Sequence, residues 1–238
     1  MFYAIFGFIF GFFIPYLARR IGKLVPAASG YIWLHIFVPT HAMPWAKLKN
    51  NEVYMTLFRR YVMRSVGWAI FTAAATVLFA LNFDNMFMKW YIAFLWILLL
   101  LVEIDKRFML LPDILTLPLL LLGFTYAAQQ GFWLAVPAPH YMPYALNSAL
   151  GALAGYILPL FASLFIIWKY PDALGDGDIK LLAAIGAWVG FATVPYIILG
   201  ACVLFAANWL INRRRVGPFG PAIIYAALIF VILFLAAR

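Results

Sequence analysis

Eight apolar runs, separated by short polar or charged segments, constrain this chain more than any other feature. They cover residues 1–17, 65–81, 90–104, 114–128, 148–168, 181–190, 195–211 and 218–236. A helix needs roughly 20 apolar residues to cross a bilayer, and hydrocarbon tolerates only segments that satisfy their own backbone hydrogen bonds. Only 11% of the residues are charged, against about 25% in a soluble domain. The pattern predicts an all-α, polytopic integral membrane protein of about eight transmembrane helices. Residues 1–17 lack a basic stretch ahead of the apolar part, and Arg19 and Arg20 follow it. That order reads as a retained first span rather than a cleaved leader.

Charge sets the orientation. A net charge of +9 would suggest a nucleic-acid partner if the basic residues lined a soluble face. They cluster instead at the ends of apolar runs, which points to the lipid bilayer and away from nucleic acid. With the N-terminus outside and eight spans, all of the 17 basic residues except Lys89 and Arg238 fall on the cytoplasmic side. The sixth and seventh runs could join into one long helix over 181–211. Pro195 disfavours helical backbone at Val194, and a turn near Gly190 keeps Arg213, Arg214 and Arg215 cytoplasmic. Two regions follow. Residues 1–89 hold spans one and two and a basic cytoplasmic loop, 18–64, whose aromatic residues suggest partial burial in the interface. Residues 90–238 form a second membrane domain, with an irregular outer connector at 129–147 containing Pro137, Pro139 and Pro143.

Acidic residues are scarce and concentrated. Of eight, six fall in two windows: Glu103, Asp105 and Asp113 in one, Asp172, Asp176 and Asp178 in the other. Carboxylates at membrane depth are costly and tend to mark function. Each also has a local reading. Asp105 could pair with Lys106 or Arg107, and Glu103 lies one turn before Lys106, in reach of an i,i+3 pair. Asp113 follows Pro112 at a cap position for a helix from Ile114, and Asp178 could cap the helix that starts at Ile179. Asp172, after Pro171, reads as a turn residue. Gly175 and Gly177 flank Asp176 and let the backbone turn tightly and a substrate strand approach. Two carboxylates brought to one site cannot both ionise easily, so the pair holds a proton and can activate water against a peptide carbonyl. No other catalytic set is visible. Cys202 lies inside an apolar run, and His35, His41 and His140 are too scattered for a metal triad. The single Gly-Asp-Gly-Asp run lacks the ligand spacing of a calcium loop.

Gly175-Asp176-Gly177-Asp178-Ile179-Lys180 resembles the G-x-G-D-x-K motif of the type IV prepilin peptidases, polytopic aspartic proteases of pilus and type II secretion systems. Asp105 through Leu111-Pro112-Asp113-Ile114 is similar to that family's first aspartate motif, and Gly217-Pro218-Phe219-Gly220-Pro221 to its P-F-G-P segment. The resemblance implies Asp105 and Asp178 as the catalytic pair, with Gly175, Gly177, Lys180, Glu103, Pro112 and Asp113 in support and no catalytic metal. It implies an enzyme of the bacterial inner membrane, active at its cytoplasmic face, that removes the short basic leader of a prepilin or prepseudopilin. Many members carry two Cys-x-x-Cys pairs in the first cytoplasmic loop; here that loop has no cysteine. Peptidase activity is therefore the firmer implication, and S-adenosylmethionine-dependent N-methylation the weaker one. Two other classes compete: a proton-coupled carrier using the acids as a relay, which calls for acids at mid-membrane, and a non-enzymatic assembly scaffold.

Overall fold

A computed structural model describes residues 2–24, 52–82, 88–130, 143–167, 175–212 and 217–236. Among these are eight α-helices: α1 Phe2–Leu24, α2 Glu52–Asn82, α3 Met88–Phe108, α4 Asp113–Gln130, α5 Tyr144–Ile167, α6 Asp176–Val189, α7 Val194–Asn212 and α8 Gly220–Ala236. A 3-10 turn, Phe191–Thr193, joins α6 to α7, and the described residues contain no strand. The chain is an all-α, polytopic membrane protein. Phe2–Leu24, Met55–Leu81, Tyr144–Leu164 and Phe191–Asn212 are long and apolar enough to cross a membrane, and α4 and α8 are apolar but shorter. Most of the loop 18–64, the connector at 131–142, Asp172 and the three histidines lie outside the described residues.

The expected break in 181–211 is present. Gly190 has φ +81°, a region open to glycine, and its N–H still reaches the Gly186 carbonyl at 2.9 Å. The Asn147 side chain accepts the Phe191 N–H at 2.9 Å and holds the corner. The start of α2 differs from expectation: it begins at Glu52, well before the apolar run at 65. Hydropathy locates hydrocarbon, whereas the helix continues into polar sequence because residues 52–64 contain no glycine or proline to stop it.

The chain divides into two compact units, 1–103 and 104–238. In the first, α1 lies directly on α2. A Cβ on Gly11 would stand 2.6 Å from the Trp68 carbonyl oxygen, and one on Gly7 would stand 2.7 Å from Thr76 Oγ1. Small residues of this kind let membrane helices approach backbone to backbone, where dispersion replaces the missing hydrophobic drive. Trp96 of α3 stacks on Phe10 at 4.4 Å and donates to Thr76 Oγ1 at 3.1 Å.

In the second unit α6 is the innermost helix; every residue from Leu181 to Val189 is buried. At 14 residues it extends only about 21 Å. Gly151 and Gly155 of α5 pack against the Gly186 and Leu182 carbonyls with no room for a side chain. Ser148 Oγ donates to the Ala187 carbonyl at 2.6 Å. On the other side, Trp188 donates to the Leu119 carbonyl at 2.8 Å and stacks on Tyr126. These contacts hold the body of α6, whose first turn carries the Gly-Asp-Gly-Asp motif.

Candidate active site

Asp105 occupies the last turn of α3, one residue past the apolar span, with 4% of its surface exposed. Among the described residues it has no ion pair, and its Oδ2 is buried without a hydrogen-bond partner, unlike a solvated pair with Lys106 or Arg107. The helix ends in a left-handed cap: Met109 has φ +51° and its N–H returns to the Asp105 carbonyl at 2.9 Å. A residue with a side chain pays roughly 1–2 kcal/mol for that conformation, and the bond it makes closes an otherwise open helix end.

Asp178 lies in the first turn of α6, one turn inside the position expected for a cap. Gly175 takes the cap position and makes no side-chain bond. The Asp178 N–H bonds the Gly175 carbonyl at 3.0 Å, and its half-buried carboxyl turns inward while Asp176 is exposed. Of the two motif glycines, Gly177 serves close approach, whereas a Cβ on Gly175 would meet only Asp178 Oδ2, at 3.6 Å. A Cβ on Gly177 would stand 2.9 Å from Leu111 Cβ.

Gly220, the first residue of α8, completes the cluster. A Cβ there would stand 2.6 Å from Asp105 Oδ2 and 3.2 Å from Leu111 Cδ1. Leu111 thus touches the glycine beside each aspartate. The two carboxyls also feel each other. Burial pushes Asp105 up from 3.8 to about 6, with the Gly220 backbone N–H pulling partly back. Burial, and next the Asp105 charge, push Asp178 up from 3.8 to about 7, opposed by the Gly175 backbone. Near neutral pH the pair holds about one proton, the condition for one acid and one base at a single site.

The supporting residues fall elsewhere than local spacing suggested. Asp113 does not cap α4: both its oxygens accept from Lys180 Nζ at 2.8 Å, and the Pro112 carbonyl accepts the Leu115 and Thr116 N–H groups. The pair joins the first turns of α4 and α6. Glu103 does not pair with Lys106. Its Oε2 accepts from Arg64 Nη2 and Trp68 Nε1, each at 2.9 Å, while Lys106 Nζ donates to the Tyr225 hydroxyl at 2.9 Å. Sequence reasoning did not single out Gly220 or Leu111 as parts of the site. The P-F-G-P segment was the available signal for Gly220.

An α-helical membrane protein with two aspartates at helix ends, each in contact with glycine backbone, defines the class. The comparisons with known proteins make it specific. Residues 92–211, half of the chain, match the type IV leader peptidase family, and this chain belongs to that family. It is 34% identical over 148 residues to a prepilin leader peptidase/N-methyltransferase of Vibrio cholerae serotype O1, covering 60% of this chain and 53% of that one. The Escherichia coli protein of the same description is 40% identical over 127 residues, 50% and 51% of the two chains. That of Dichelobacter nodosus is 35% identical over 192 residues, 73% and 62%. The chain spans about half the length of the first two relatives. No solved structure matches it.

Proposed function

We propose that the chain is an inner-membrane aspartic endopeptidase that removes the basic leader of a prepilin or prepseudopilin at the cytoplasmic face, with Asp105 and Asp178 as its catalytic pair. One observation carries this reading: the two acids, far apart in sequence, are close enough that the Asp105 charge raises the proton affinity of Asp178, and Asp105 keeps a buried oxygen free. Asp178, the more readily protonated, hydrogen-bonds the scissile carbonyl oxygen and passes its proton to that oxygen as the carbonyl is attacked. Asp105, ionised, takes a proton from a water molecule whose oxygen adds to the carbonyl carbon. The resulting diol collapses as Asp105 returns that proton to the leaving nitrogen, the C–N bond breaks, and Asp178 recovers its own proton. Gly177 and Gly220, lacking side chains, let Leu111 and the Asp105 carboxyl pack directly against backbone at the pair. Proteolysis of this kind needs no cofactor. Methylation by S-adenosylmethionine is not part of the proposal, because the loop expected to support it has no cysteine.

The test is cleavage of a purified prepilin in detergent, followed by the mass of the product's N-terminus. Asp105→Asn and Asp178→Asn should each lower the rate by about a thousandfold, within the usual range for loss of a general acid or base. A variant that cleaves at close to the parent rate refutes the pair.

A further inference from the structure

α7 and α8 pack closely where Gly200 meets Ala226 and Tyr196 stacks on Phe230. Towards the α7 C-terminus and the α8 N-terminus they enclose a cleft of about 670 Å³, with Lys106 from the end of α3 in its wall. Its lining is graded along the helices. Leu204, Phe205 and Ile229 are apolar, whereas Asn208, Asn212 and Lys106 supply polar groups near the helix ends. Lys106 donates to the Tyr225 hydroxyl and lies 5.1 Å from that ring's centre. A phenol and a ring offer no counter-charge, and among the described residues Lys106 has no carboxylate partner. The flanks are open and apolar: Trp209 is 50% exposed and Ile229 47%, as suits side chains at the edge of hydrocarbon.

The Asn212 amide nitrogen donates to the Asn208 carbonyl and Oδ1, which leaves the Asn208 amide nitrogen to face a ligand. We infer that this cleft binds an anionic glycerophospholipid, its phosphate at Lys106 and the Asn208 amide nitrogen, and an acyl chain along Leu204, Phe205 and Ile229. A basic pocket between membrane helices at the polar rim suits a negative headgroup. The same charge repels a basic peptide. A soluble anion would leave the apolar part of the cleft unfilled. The cleft adjoins the aspartate site, because Lys106 follows Asp105 and Pro221 of the lining follows Gly220. The assignment does not depend on peptidase activity.

Full-length protein, delipidated in a neutral detergent, is titrated with dioleoylphosphatidylglycerol, dioleoylphosphatidylcholine or glycerol phosphate, and adducts are counted by native mass spectrometry. The expected result is saturable phosphatidylglycerol binding, markedly weaker phosphatidylcholine binding and no retention of glycerol phosphate. Lys106→Gln should weaken phosphatidylglycerol binding about fivefold. Asn208→Trp changes an exposed residue and fills the cleft with Lys106 intact, and it should weaken binding at least as much. Equal binding of the two lipids, retention of glycerol phosphate, or parent-like binding by both variants would overturn the inference. So would displacement of phosphatidylglycerol by a prepilin transmembrane peptide that itself binds through Lys106, which would make the cleft a substrate groove. Cleavage is not read in any arm, so failure here leaves the aspartate pair untouched.

Discussion

Glu103 and Asp105 stand two residues apart on α3, both buried, and meet opposite fates. Glu103 is fully buried, and its Oε2 accepts two bonds, one from the Arg64 guanidinium and one from the Trp68 indole. Asp105 is almost as buried but keeps one oxygen with no partner at all. A buried charge that is paired and hydrogen-bonded holds elements together; removing its partner is what costs. A buried carboxyl left without partners costs stability and keeps its lone pairs for something else. On one helix, the first acid is tied to a neighbouring helix and the second keeps a buried acceptor oxygen unused.

That contrast breaks if the two positions respond alike to substitution. Beyond the aspartates, the largest effect on cleavage is expected at Gly220. Gly220→Ala would put a methyl group 2.6 Å from Asp105 Oδ2 and force the carboxyl to move. A displacement of about 1 Å can cost about a hundredfold in rate, which cleavage kinetics at matched folded concentration would measure. Glu103→Ala should act in the opposite sense, lowering stability by about 2 kcal/mol in detergent unfolding while the folded fraction still cleaves.

The pH dependence sharpens the comparison further. Asp105 and Asp178 titrate at about 6 and about 7 in the folded chain, against 3.8 ordinarily. The folded state therefore binds more protons than the unfolded state between about pH 4 and pH 7. Stability from these groups is fully present below pH 4 and is lost as pH rises through 6 and 7. Asp105→Asn removes the Asp105 share of that loss, so it should unfold later than the parent at pH 8, by about 3 kcal/mol, and the gap should close by pH 4. Under the proposed mechanism, cleavage should peak where the pair holds one proton, between about pH 6 and pH 7. The smallest effect is expected at Asp113→Asn. Its bond to Lys180 joins side chains that are 50% and 42% exposed, and exposed pairs contribute under about 1 kcal/mol. A shift larger than that in thermal unfolding would mean the pair does more than tie two helix ends.

The helices were legible in the sequence because hydrocarbon imposes a length and an apolar pattern on every span. Even the break at Gly190 could be read, since Pro195 and the arginines after Asn212 both argue for it. Partnerships were less legible. Glu103 has a basic residue three positions ahead, and local spacing favoured that one. Arg64, 39 positions away, is instead the partner on a packed helix, where its planar fork suits a carboxylate. Asp113 looked like a cap for the same local reason, yet a lysine 67 positions on takes both its oxygens. Gly220 sat in a recognisable segment, but only folding reveals that its missing side chain is what Asp105 rests against. Spacing along the chain anticipates contacts within a helix; contacts between helices follow from which small residues allow close approach.

The glycines of α5 have a mechanical consequence. Where Gly151 and Gly155 meet the carbonyls of α6, two backbones are in van der Waals contact with no side chains to act as a bearing. Such a seam behaves as a weld, so α5 and α6 travel as one slab and Asp178 rides on it. Any change in the spacing of Asp105 and Asp178 must then come from the Asp105 side, at the Met109–Leu110 corner, whose apolar side chains are exposed.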